Sequence, residues 1–212
     1  MGTYRKGILG SFTGKVGTVV GSSWRGIDYM RSLPRRSSKE PTEPQAIQRA
    51  KFGLVAGFLA PIRGLLDIGF KTAAVNQTGS NAAAKEMFEF GITGAYPNFT
   101  VDYPNVKISK GSLTGAFNAS VTPGTDQVTV TWEDNTGSGN AKATDKAIIL
   151  VYNEEQSQYI YTTDGPERSA ATYVYNMPDD FAGDTVEVWL GFISADGKLV
   201  ADSVHAGDAV IE

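Results

Sequence analysis

Cysteine is absent from the 212-residue chain, and histidine occurs once, as His205. The first absence excludes a disulfide framework, thiol nucleophiles and thiolate metal sites, and it leaves the redox compartment unmarked. The second excludes a multi-histidine metal site, and no Gly-x-Ser-x-Gly elbow accompanies His205 for hydrolysis. Long apolar runs are missing too. No segment approaches the roughly 20 apolar residues of a membrane span, and the opening MGTYRKGILGSF has no apolar run of signal-peptide length. The expected location is therefore the cytoplasm of the producing cell, or a virion assembled there, with no membrane contact. What is present reads as ordinary globular protein, with 41% hydrophobic and 20% charged residues. The length suits one large or two modest domains.

The net charge of −4 conceals a division. Residues 1–110 carry 15 Lys/Arg against 7 Asp/Glu, whereas residues 111–212 carry 4 against 16. A chain with one basic and one acidic half can attract copies of itself head to tail, or bind a polyanion with one end only. The texture of the sequence changes at the same place, so the expected domains are a basic region over 1–110 and an acidic one over 111–212.

In the first region, KVGTVVGSSW and IDYMRSLP are rich in β-branched and aromatic residues and predict a hairpin turning at Arg25-Gly26. A polar connector, PRRSSKEPTEPQ, follows. Thr42 with Gln45 forms a capping-box pattern, Pro44 falls in the first turn, and Ile47, Ala50, Leu54 and Phe58 recur at helical spacing. Pro61 should end or kink this helix. A second short helix is expected in IRGLLDIGF, and a third in SNAAAKEMFEFGI, capped by Ser80 or Asn81. YPNFTVDYPNVKISKG reads as extended, with two prolines suggesting edge strands. After Gly111 seven period-two runs predict short strands, from LTGAFNASVTP to KLVADSV. Val128, Val130 and Trp132, like Val186, Val188, Leu190 and Phe192, alternate with polar residues, which predicts one core face and one wet face.

Chemistry-bearing motifs fail their tests. GILGSFTGKVGTVVGSSWRG (Gly7–Gly26) looks like a phosphate loop. However, Gly10 and Gly14 enclose three residues where four are needed, Val16 follows Lys15 where a hydroxyl is needed, and the context is strand-like. Glycines at this density in strands permit bulges or close backbone approach, including approach by another subunit. DNTGSGNAKATD (Asp134–Asp145) offers only two carboxylate ligands to a calcium ion, has Lys142 at loop position 9, and is flanked by strands. Glu154-Glu155 and Asp179-Asp180 fall in turns, where solvated acids are the rule. No catalytic residue, metal ligand or cofactor site is expected, and the chain does not read as an enzyme.

The strongest functional candidate is the basic set Arg25, Arg31, Arg35, Arg36, Lys39, Arg49 and Lys51, interleaved with Trp24 and Tyr29. Phosphate contact plus base stacking would suit nucleic acid. Guanidinium forks would equally hold carboxylates on a neighbouring subunit, and the acidic half supplies them. The remaining reading is a solvated basic face. Protein is favoured over nucleic acid because no known nucleic-acid fold is visible.

QVTVTWED, KAIILVYN and the corner MPDDFAGDTVEVWLGFISADGK resemble the strand order of a fibronectin type III module, with Trp132 as its second-strand core tryptophan. The corner tyrosine usual in that family is missing, so the broader immunoglobulin-like class is the expectation. Nearly the whole chain is similar to a family of uncharacterised Bacteroidota proteins, a domain of unknown function. The resemblance is carried by GSFTGKVGTVVGSSWRGIDYMRSLP, TEPQAIQRAKF, YPNFTVDY, ISKGSL, VTWEDN and AGDTVEVWLGF. The Trp-Arg-Gly hairpin, arginine-proline linker and Gln-Arg-Ala-Lys-Phe helix are also similar to small structural proteins of tailed phages and prophages. The expected fold is thus an α+β N-terminal region, a β-hairpin plus two or three helices, followed by an all-β immunoglobulin/fibronectin-like sandwich. The expected function is a non-enzymatic, self-associating structural protein, a capsid- or tail-associated virion component, whose partners are other copies or virion proteins. The rivals are a nucleic-acid-binding module, or surface or glycan adhesion through Tyr152, Tyr159, Tyr161, Tyr173 and Tyr175.

Overall fold

Glycine and β-branched residues make the first part of the chain a sheet. In the computed structural model, which describes residues 2–4, 7, 10–24, 26–34 and 40–212, the chain divides into two units, Met1–Thr42 and Glu43–Glu212. The first holds four antiparallel strands in the order β1 (Thr3–Tyr4), β2 (Phe12–Val16), β3 (Val19–Trp24) and β4 (Ile27–Ser32). The turn joining β3 to β4 places Gly26 at φ +83°, where a side chain would be strained. Gly21 is required for a different reason. The Phe12 ring and carbonyl lie where a Cβ at Gly21 would sit. Close approach is therefore what this glycine serves, and Gly14 and Lys15 lie within a strand instead of a phosphate-binding turn.

The second unit begins with helices. α1 (Glu43–Leu59) starts one residue after Thr42, as its capping pattern predicts, and stops two residues before Pro61. α2 (Arg63–Gly69) leaves it at 87°. α3 (Gly79–Phe90) is capped by Thr78, whose Oγ1 accepts from the Asn81 amide at 3.2 Å. The expected caps, Ser80 and Asn81, are inside the helix instead, because the earlier hydroxyl already satisfies the free amide. No single helix among the described residues is long and apolar enough to cross a membrane. A hairpin of β5 (Ile92–Ala95) and β6 (Asn98–Val101) turns at a cis Tyr96-Pro97 bond.

Seven strands complete the unit: β7 (Phe117–Gly124), β8 (Gln127–Glu133), β9 (Lys146–Asn153), β10 (Gln158–Thr162), β11 (Thr172–Asn176), β12 (Thr185–Ile193) and β13 (Val204–Val210). They form two antiparallel sheets, β10-β9-β12-β13 and β11-β8-β7. Val128, Val130 and Trp132 of one sheet meet Ile149, Val151, Val186, Val188, Leu190 and Phe192 of the other in a shared core. A second core joins the opposite face of the four-stranded sheet, through Ile148, Leu150, Tyr152 and Trp189, to Phe58, Ile62, Leu65, Phe70 and Met87 of the helical segment. The protein is thus α+β.

Three further expectations are corrected. The helices do not form an N-terminal region together with the hairpin. They pack on the strands that follow, and Lys110-Gly111 lies inside the larger unit. The face opposite Val186, Val188 and Leu190 is not wet either: Trp189 is fully buried, and β9 is buried from Ala147 to Asn153. A sheet covered on both sides needs apolar residues at both alternations, which accounts for the continuous run AIILVY. The last strand also starts later than KLVADSV predicts. Val200 and Ala201 make only isolated bridges, and pairing with β12 begins at Val204.

Candidate assembly surfaces

Of the basic and aromatic set, Arg25, Arg35, Arg36 and Lys39 lie outside the described residues. Trp24, Tyr29 and Arg31 belong to the β3–β4 hairpin. Its register pairs Val20 with Arg31, Ser22 with Tyr29 and Trp24 with Ile27. Cross-strand partners share a face and alternate residues along a strand return to it. Trp24, Ile27, Tyr29 and Arg31 therefore stand on one face, all of them exposed. The other face carries Val16, Val19 and Met30, and Met30 is 71% exposed. Sequence reasoning missed this second apolar face, although the imperfect alternation of IDYMRS was its signal. All six residues of β4 are exposed, and β4 is a sheet edge. Among the described residues β4 pairs with β3 on one side only, and it runs between two surfaces that carry apolar groups.

Arg49 and Lys51 lie on α1, in the other unit. Arg49 is exposed, while Lys51 sits over the Phe99 ring with Nζ 5.1 Å from its centroid. The basic set is therefore shared between the units. Charge follows the same boundary: residues 1–42 carry 8 Lys/Arg against 2 Asp/Glu, and residues 43–212 carry 11 against 21. The net charges are +6 and −10, a sharper contrast per residue in the small unit than the division at 110 gave.

Beside Lys51, α1 forms one wall of a groove with a volume of about 530 Å³. Gly53 and Gly57 stand one turn apart on this wall, and a Cβ on either would meet nothing within 4 Å. Phe58, Tyr103, Tyr152 and Tyr159 line the groove as one ring cluster, with Tyr152 stacked on Tyr159 at 4.5 Å and set edge-on to Phe58 at 5.2 Å. Burial, and then the Glu154 carboxylate that accepts its hydrogen bond, hold the Tyr103 phenol well above the usual range. Burial beside Tyr152 does the same for Tyr159. Both phenols stay protonated at any physiological pH. Glu154 is exposed and lines the groove, and among the described residues it has no Lys or Arg within ion-pair distance. The sequence signal for this groove was the Gly-Leu-Val-Ala-Gly spacing inside a helical pattern.

Three other polar centres are engaged in contacts within the chain. Arg168 is fully buried. Its Nε donates to Asp145 Oδ2 at 3.2 Å, Nη1 to Asn135 Oδ1 at 2.7 Å and Nη2 to the Thr114 carbonyl at 2.8 Å, and its guanidinium lies 3.9 Å from the Phe192 centroid. Desolvation lowers its pKa against the opposing pull of Asp145. Asp134, the other acid of the calcium-like loop, accepts from the Thr136 amide and hydroxyl instead. His205 Nε2 is 2.6 Å from Glu187 Oε2, and its ring packs 5.3 Å from Trp189. No group of three or more potential metal ligands occurs among the described residues. Of the five tyrosines considered for adhesion, only Tyr161 is exposed. Tyr152 and Tyr159 join the helix-side core, and Tyr173 and Tyr175 the inter-sheet core.

The chain belongs to DUF6266, a family of unknown function, whose model matches residues 11–207. No curated protein matches it.

Proposed function

We propose that this chain is a non-enzymatic structural protein that associates with copies of itself, each using the basic β-sheet unit as an arm that engages the acidic unit of the next. The observation that carries this reading is β4: an edge strand with all six residues exposed and apolar groups on both faces. An edge strand with exposed apolar groups on both faces is a template for pairing with another chain. Strand addition and a charge contrast of +6 against −10 supply the attraction, and arm and acidic unit are different surfaces, so the association runs head to tail. We assign the seven C-terminal strands to the fibronectin type III-like division of the immunoglobulin class. The reading is supported by the three-against-four strand order and by Trp132, 4% exposed, in the second strand. The similarity of the hairpin, linker and helix to phage structural proteins makes a virion component of a Bacteroidota phage or prophage our preferred setting.

A second reading has one observation in its favour. Trp24, Tyr29 and Arg31 share a face, which suits base stacking beside a phosphate contact. Sedimentation velocity over a concentration series, at low and high salt and with negative-stain images, tests the first reading. Rings, tubes or a defined oligomer that salt loosens are expected. A monomer under every condition refutes spontaneous self-association. Oligonucleotide binding that falls steeply with salt and is lost in Arg31→Gln would then favour the second reading.

A further inference from the structure

We propose that the α1 groove receives the Trp24–Ile27 end of the β3–β4 hairpin from a second copy, a docking that rests on the self-association reading above. Among the described residues the two groove-wall glycines serve no packing contact, and they cost the helix stability. Glycine inside a helix is less favourable than alanine by about 0.5–1 kcal/mol. Gly53 and Gly57 both incur this cost with nothing of the described chain against them. Gly69 and Gly79 show the contrasting case, since a Cβ there would strike the Ile108 and Leu66 carbonyl oxygens. Glycine at 53 and 57 is thus not needed for packing within the described residues, and it leaves room for an incoming group.

The incoming group is set by size and chemistry. The groove's 530 Å³ falls in the span of roughly 300–1,000 Å³ that holds small-molecule-sized groups. Its ring cluster offers aromatic edges and faces, and Glu154 supplies a carboxylate that has no basic partner among the described residues. The hairpin end presents the complement. Trp24 and Ile27 stand opposite each other, 51% and 68% exposed, on a unit of net charge +6. A tryptophan anchored in a pocket, with surrounding contacts that exclude water, is a common form of interface hot spot. Burial against the rings would cover the two most exposed apolar side chains of that face, and the arm's cations would meet a unit of net charge −10.

The test uses full-length chains and two kinds of variant. Trp24→Ala removes the anchor, and Gly57→Phe fills the groove. Gly57→Phe replaces a glycine of the last helical turn at an open position, and circular dichroism of each variant confirms folding. Glu154→Lys is a second groove variant that alters charge without adding bulk to the helix. By sedimentation velocity each variant alone should associate roughly thirtyfold or more weakly than the parent. An equimolar mixture of Trp24→Ala and Gly57→Phe should form a 1:1 complex and stop there, since it contains one working arm and one working groove. Three results would overturn the docking. They are Gly57→Phe and Glu154→Lys each assembling as the parent does; the mixture remaining monomeric; or, in monomers, Gly57→Phe changing tryptophan emission in the parent chain but not in the Trp24→Ala chain, which would place the arm on its own chain. The first leaves self-association standing and rejects only the groove, whereas a parent that never associates rejects both.

Discussion

Replacing Gly53 and Gly57 by alanine should stabilise the isolated chain. Gly53 lies in the interior of α1 and Gly57 in its last turn, and a methyl group on either meets nothing within 4 Å. No steric term therefore opposes the gain in helix propensity, about 0.5–1 kcal/mol per site, or roughly 1–2 kcal/mol for the pair. For a unit of this size, one kcal/mol moves the midpoint by about 2–4 °C, so the double variant should melt roughly 2–8 °C higher. Gly79→Ala must have the opposite sign. Its Cβ would strike the Leu66 carbonyl oxygen where α3 crosses α2, and overpacking of that kind costs about 1–3 kcal/mol. Thermal unfolding followed by circular dichroism checks both, at one dilute concentration and high salt so that association does not contribute. A double variant that melts at or below the parent would refute the claim that these glycines are free of packing. If it melts higher and also assembles less well, stability and docking are opposed at the same two atoms.

Two further predictions concern the larger unit. Arg168→Leu leaves Asp145, 0% exposed and already with an unpartnered Oδ1, without its guanidinium, and should cost about 3–5 kcal/mol in urea unfolding followed by tryptophan fluorescence. Adding Asp145→Leu should recover part of that loss, since the uncompensated charge goes with it; a single variant costing under about 1 kcal/mol would show that the pair contributes little. Asp196 should titrate at about 2, chiefly because the Ser194 hydroxyl donates to it at 2.7 Å and the Lys198 amide adds a second bond. Its folded-state pKa is depressed, so its contribution is present above the ordinary carboxylate range of about 4 and is lost as pH falls toward 2. Carboxyl-detected NMR on Ser194→Ala should show the midpoint move up, and an unmoved midpoint would reject that hydroxyl as the cause.

Several elements were legible because their causes are local. Thr42, Pro44 and Pro61 mark the ends of α1, because helix starts and stops follow from backbone preferences among near neighbours. Gly26 marks the hairpin turn by the same logic. The failed phosphate loop could be rejected from spacing alone, and Gly21 then turned out to serve a contact with Phe12, nine positions away. The cap of α3 lies two or three residues before the expected Ser80 or Asn81, since Thr78, Ser80 and Asn81 are all good caps and it is the Thr78 hydroxyl that accepts from the Asn81 amide.

The sequence by itself determined the strand and helix types, the exclusion of thiol and multi-histidine chemistry, and the separation of basic from acidic charge. Only tertiary structure decided where those parts belong. Alternation along VEVWLGF reports one face of a strand, but whether the opposite face meets water depends on a helix more than a hundred residues earlier. Trp189 and Tyr152 are buried because Phe58 lies against them. The same distance in sequence hides the groove: Gly53 and Gly57 are visible as a spacing, while Tyr103, Tyr152, Glu154 and Tyr159 join them only through the fold. Local sequence encodes backbone preference over a few residues, and a surface made by several segments has no signature in any one of them.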